Sequence, residues 1–380
     1  MKGWNRLVIV MLFFLLPMPV WAVEEEQGSE VPLEVTLEEA AAALDTRDVD
    51  AAVKELGAET DFSKLMEEVL SGEFDFSFSG WRQKLYQAAF GELQMQGKLL
   101  TQLLLVVILS AILRQLSASF RGKSVGEMGF YLCYVILVAV LLSAFYEIAA
   151  CVVERMTGIC RVFRGMVPLF LLLSGASGKL MEGAWMGPTL LGGSALLSEG
   201  IRRILVPGIL LAIGLELADH ISERPILGRF AALLRQGLRW GMKGMAMGFM
   251  LLLSLQKIGG AATNGLATRT AKIVVGAVPI VGDIMGGTVE AAAAVLSTLK
   301  SGVLVTAAVL LLLLCLPLLV KLLVIWLVFR LTAAASEFIC EERLVDCISA
   351  AGEYTGLLLG IVFLGEGMFL FSALLLLGGW

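Results

Sequence analysis

The stretch from Val303 to Phe329 contains one charged residue, Lys321, and the stretch from Tyr354 to Leu377 contains one, Glu366. About 20 consecutive apolar residues suffice to cross the hydrocarbon core of a bilayer as a helix. Runs like these constrain the chain more than any motif in it. Six further candidates accompany them: Leu99–Leu116, Met128–Ala150, Phe163–Met181, Trp185–Leu197, Ile204–Ala218 and Gly241–Ile258. Composition agrees, with 58% apolar and 17% charged residues and a mean hydropathy of +0.85. Soluble domains carry about 25% charged residues. An ordinary cytosolic enzyme, a disordered chain and a nucleic-acid binder are therefore excluded. The expected fold class is all-α: a polytopic helical membrane protein with six to eight spans over residues 99–380.

The net charge of −5 describes no part of the chain. Residues 23–98 hold 18 acidic and 6 basic residues, a net of −12, whereas residues 99–380 are slightly basic at +5. Before them, Lys2 and Arg6 precede the apolar run Leu7–Leu16, then Pro17 and Pro19, then Val20-Trp21-Ala22. That order predicts a secretory signal peptide over residues 1–22, with a retained anchor as the other reading. Residues 23–98 are then an acidic, exported helical segment. Val35–Leu56 has helical apolar spacing, with a capping box at Thr36 and Glu39. Asp61 is placed to cap a helix over Phe62–Leu70 that stops at Ser71-Gly72. Trp81–Gln96 reads as an amphipathic helix whose Trp81, Leu85, Phe90 and Leu93 either sit at the membrane interface or pack on the membrane body.

Orientation follows from basic residues in the connections. With residue 98 outside, the connections at Arg114–Glu127 and Asp219–Trp240 are cytoplasmic and carry Arg114, Arg121, Lys123, Arg224, Arg229, Arg235 and Arg239. This obeys the positive-inside rule and places the C-terminus outside. The acidic connection near Arg330–Glu353 weighs little, because carboxylates contribute little to orientation. Phe163–Met181 and Trp185–Leu197 are broken by Pro168, Pro188 and glycines. They form two spans or one re-entrant hairpin, and such broken segments are what transporter sites use. Residues 259–302 form the long exported connection, expected to pack into the body or re-enter the membrane.

Motifs for chemistry are absent. One histidine, His220, makes a histidine metal site or triad untenable. No phosphate-binding loop, HExxH or GxSxG occurs, so no enzyme activity and no cofactor are expected. Cys151 and Cys160 share one expected exported connection and either pair or stay free. Lys321 and Glu366 are the informative charges. A charge at mid-bilayer costs several kcal/mol and is usually paired or faces water. A Lys321–Glu366 pair would lower that cost, as a packing device or as part of a polar path. Gly237/Gly241, Gly244/Gly248 and Gly356/Gly360 have close-packing spacing, with intramolecular contact favoured over homo-oligomerisation.

The stretch Arg269-Thr270-Ala271-Lys272 followed by Val278-Pro279-Ile280-Val281-Gly282-Asp283, and then Pro317 and Lys321, resembles the core of the stage III sporulation protein AE family. The signal peptide, Ser71-Gly72 before the first span, and the length are also similar. The resemblance implies a mother-cell membrane protein of the sporulating cell. It would sit around the forespore in an eight-protein secretion-like channel complex with a separate ATPase, supporting late forespore development. The partners so implied are other membrane proteins of that complex and the lipid bilayer, with no nucleic acid. The other function reading is an autonomous secondary transporter using Lys321 and Glu366.

Overall fold

A computed structural model describes residues 44–57, 60–72, 74, 78–119, 123–176, 180–219, 227–275 and 282–377. The signal peptide and the capping box at Thr36 lie outside the described residues. Among the described residues every regular element is helical. The elements are α1 (Arg47–Glu55), α2 (Phe62–Leu70), α3 (Phe78–Met95), α4 (Gly97–Ser119), α5 (Lys123–Ala176), α6 (Leu180–Gly200), a π-helical turn (Ile201–Leu205), α7 (Val206–Asp219), α8 (Gly228–Val275), α9 (Gly282–Ser336) and α10 (Glu342–Leu377).

The short helices match their sequence signals at the ends. Gly57 and Gly72 adopt positive φ, 70° and 74°, and terminate α1 and α2. The cap of α2 differs from expectation. Asp61 occupies the N-cap position with no capping hydrogen bond and pairs instead with Lys54. The free amides of Phe62 and Ser63 donate to Asp50 Oδ1 of α1, at 2.7 and 3.3 Å. One carboxylate from the preceding helix thus satisfies the donors that a helix start leaves open, and it fixes α1 against α2.

The long helices differ more. Met128–Ala150 and Phe163–Met181 read as two spans joined by an exported connection, yet α5 runs through all three as 54 residues. Glu154, Arg155 and Arg161 break the hydropathy there, but they do not break the helical period. Val152, Met156, Ile159, Phe163, Met166 and Phe170 recur every three or four residues and are all buried. Likewise α6, the π-helical turn and α7 form one rod in place of two spans and a connection. Residues 259–302 are helical where described, as the end of α8 and the start of α9. At 1.5 Å per residue, α5, α8 and α9 each exceed about 70 Å, more than twice a hydrocarbon core of about 30 Å.

By length and composition, three helical stretches are able to cross a membrane among the described residues: Tyr131–Leu173, Thr298–Ser336 and Glu342–Ser372. A fourth results if Tyr86–Met95 and Gly97–Leu113, bent by 46° to one another, count as one span.

Sequence neighbours among the long helices pack antiparallel, α5 and α10 run parallel, and one large apolar core lies among them. Tyr134 on α5 reaches Leu217 on α7, Arg164 reaches Ser194 on α6, and Leu171 faces Gly187. α8 folds back along the α6–α7 rod, with Leu238 at Gly208 and Phe249 at Gly193. α9 and α10 form the most extensive pair, and Phe369 stacks on Phe163 of α5 with ring centroids 4.6 Å apart. The α1–α2 hairpin buries Val49, Val53, Phe62 and Leu65 against α5 and α9. Arg155 donates to the Leu56 carbonyl at 2.9 Å, and Arg161 pairs with Glu55. Gly302 of α9 lies beneath Leu70. The α1–α2 hairpin therefore meets α5 around residues 155–161 and α9 around Gly302, parts of segments expected on one membrane side.

Candidate functional site

Polar groups within the apolar helices are the candidate functional positions, and the structure distributes them over three places. Lys321 and Glu366 do not meet, so the expected pair is corrected. They lie on different faces of α9: Lys321 lines a cleft with α4 and α5, and Glu366 on α10 lies beside Cys315 of α9 and Cys160 of α5.

Lys321 lines a cleft of ≈ 620 Å³ between the α3–α4 bend, α5 and α9. Glu147, Ser143, Gln102 and Lys98 line the same cleft. Pro317, one turn before Lys321, lies within continuous helix. It lacks an amide hydrogen, so the α9 ladder misses one bond there. Opposite the cleft lip, Leu316, Val320, Val324 and Val328 pack on Ala88, Ala89 and Leu100. The α3–α4 bend is therefore held against α9 by small residues, while Phe90 and Leu93 of α3 point outward and are exposed.

Glu366 is only 4% exposed, and neither carboxyl oxygen meets a well-aligned N–H or O–H donor; the nearest weak donor is the Cys315 thiol. Its polar neighbours are the thiols of Cys315 and Cys160. Beside it, Gly365 admits the end of Met156. A carboxyl group in such surroundings lacks the compensation that buried polar groups normally receive.

The third place was not apparent in the sequence. Arg235 of α8 pairs with Glu216 of α7 and Glu353 of α10. Tyr354 donates to Glu216 at 2.6 Å and lies under the Arg235 guanidinium, 5.1 Å from ring centroid to Cζ. Burial works against the Arg235 charge, but hydrogen bonding to Glu216 more than offsets it and holds the guanidinium above its ordinary range. One turn away, Tyr134 donates to the Leu217 carbonyl at 2.6 Å and touches Cys347. This cluster ties α5, α7, α8 and α10 together. The available signal was opposite charge at the ends of adjacent apolar runs, but nothing local relates residues 118 positions apart.

The remaining candidates are placed as follows. Arg269 and Lys272 lie in α8, and Gly282 and Asp283 open α9. The side chains at these four positions, together with Pro279 and His220, lie outside the described residues. All six cysteines are free. Cys151 and Cys160 share α5, nine residues and about 13 Å apart along its axis, beyond the roughly 7 Å that a disulfide tolerates between Cα atoms. Of the glycine pairs, Gly241 packs near Leu205 and Gly360 near Met242, within the chain.

Comparison with known proteins gives a consistent family. A family model described as stage III sporulation protein AE matches residues 60–379. A Bacillus subtilis (strain 168) protein named stage III sporulation protein AE is 28% identical over 219 residues. That similarity covers 57% of this chain and 54% of the relative, so the chain aligns with about half of the relative's length. No solved structure matches the chain.

Proposed function

Because the chain belongs to the stage III sporulation protein AE family, we propose that it is an integral membrane component of a sporulation-specific secretion or channel complex. In this reading the complex links mother cell and forespore and is needed for late forespore development. The protein lies in the mother-cell membrane around the forespore. Its N-terminal segment and its C-terminus are extracytoplasmic. Its partners are the other membrane proteins of the complex, among them a separate ATPase.

The observation that carries this reading is the family match across the whole helical array, from α2 to the end of α10. The architecture supports it physically. Helices long enough to cross a bilayer and extend well beyond it suit a part that joins assemblies on both faces of a membrane. The role is structural, with no reaction of its own, and energy comes from the partner ATPase. Affinity purification of the tagged protein from sporulating cells tests this. Co-purification of an ATPase and other membrane components is expected, and recovery of the protein alone would contradict it.

The autonomous-transporter reading draws on the polar cleft at Lys321. It loses the continuous path that a Lys321–Glu366 pair would have offered, because the two side chains serve different helix faces. Solute flux through the purified protein alone in liposomes, abolished by Lys321→Met, would favour it.

A further inference from the structure

Near the Lys321 cleft, α4 carries a second feature of different character. From Thr101 onward, the outer face of α4 forms a groove of ≈ 440 Å³ lined by Thr101, Leu104, Leu105, Ile108, Leu109 and Ile112. Lys98 of the polar chamber and Leu105, Leu109 and Ile112 of the groove fall at i, i+7, i+11 and i+14, so the cation and the apolar track lie along one stripe of α4. From Thr101 to Ile112 the track runs about 17 Å, close to the half-thickness of a roughly 30 Å hydrocarbon core. The chamber sits where α4 begins, at the 46° bend between α3 and α4, and apolar sequence starts at Leu99.

The charge balance of the chamber is positive. Lys98 on α4 and Lys321 on α9 line it, against the one carboxylate of Glu147 on α5. No described carboxylate forms an ion pair with either ammonium, and Gln102 and Ser143 add hydrogen-bonding groups. A cation on an otherwise apolar span is costly unless an anion or water meets it. The occupant that satisfies both halves is an anion attached to a long apolar chain.

We propose that the cleft around Lys98 and Lys321 binds the phosphate of an anionic phospholipid, with one acyl chain lying along the Leu104–Ile112 face of α4. This requires that the protein reside in a bilayer, as its proposed function does, but it does not require the sporulation complex. Lipid binding there would fix the α3–α4 bend against α9 and so set the angle at which the extracytoplasmic segment leaves the membrane.

The test uses the full-length protein purified in mild detergent. Phosphatidylglycerol and phosphatidylcholine with identical acyl chains are titrated separately. Binding is read as one-to-one adducts by native mass spectrometry and as the shift in thermal midpoint. Phosphatidylglycerol is expected to bind more tightly, and Lys98→Gln and Lys321→Gln should each reduce that preference about five-fold. Lys321→Arg should retain it, which separates loss of charge from loss of fold. Ile108→Ala with Ile112→Ala should weaken both lipids equally. Removing Arg202 and Arg203, exposed cations on the π-helical turn, should leave the preference unchanged. Equal affinity for the two lipids, an undiminished preference in both lysine variants, or the same stabilisation by inorganic phosphate alone would overturn the proposal. Failure of the co-purification experiment would leave it intact.

Discussion

Two residues carry opposite lessons about charge in an apolar interior. Arg235 is paired: two carboxylates and a tyrosine ring surround it, although its buried Nε has no hydrogen-bond partner. Arg235→Met would leave Glu216 and Glu353 facing each other with no cation between them. A loss of about 2 kcal/mol is expected in chemical denaturation, below the figure for a fully buried pair because Glu353 remains 37% exposed. Adding Glu216→Gln to that variant should restore part of the loss, and strict additivity would show that the ion pairs are not coupled. Glu366 is weakly compensated, with only the Cys315 thiol as a donor beside it. Glu366→Met is expected to leave the fold intact and to hold or raise stability by about 1 kcal/mol, since apolar replacements of unsatisfied buried polar groups are often stabilising. A well-folded Glu366→Met protein that no longer supports sporulation would mark the carboxyl group as functional. A loss of stability would show that it has a structural partner.

At the scale of elements, the docking of the α1–α2 hairpin depends on two glycines. A side chain at Gly158 would run into Leu56, and one at Gly302 would run into Leu70. Alanine is tolerable, because the leucine tips can turn aside. Gly158→Leu or Gly302→Leu should lift the hairpin off the body, and limited proteolysis should then cut within residues 47–72 while the body stays resistant. Unchanged protection would mean that the hairpin is held elsewhere. The same helices decide the thiol chemistry. Alkylation in denaturant without reduction should modify both Cys151 and Cys160, and a mass two hydrogens lower at that pair would contradict a continuous α5. Much of this level was legible in the sequence. The bounds of α2, the stop at Gly72, and the apolar runs of α4, α9 and α10 follow from pattern alone. The continuity of α5 was not, because window hydropathy registers Glu154, Arg155 and Arg161 as a break. A helix with an apolar stripe and a charged outer face lowers the window average without ending. The shift of the α2 cap from Asp61 to Asp50 was equally hidden, since it depends on how α1 folds back on α2.

For the whole molecule, the contacts fall at two ends of the helical array. The α1–α2 hairpin of the acidic segment packs on the middle of α5 and on α9 around Gly302. The Arg235 cluster joins α7, α8 and α10 where the opposite side was expected. What the sequence left unresolved was partnership between intramembrane charges. Lys321 and Glu366 looked complementary because each is the one charge in its run, yet helix rotation points them apart, and rotation is set by packing that no local pattern records. The central claim is that this helical array serves the sporulating cell as part of a stage III assembly. Deleting its coding sequence cleanly and following a late forespore reporter together with heat-resistant spore counts tests that claim most directly. The account predicts engulfed forespores that fail to express the reporter and yield few resistant spores, with recovery on complementation in the mother cell; normal reporter expression and normal spore yield in the deletion strain would contradict it.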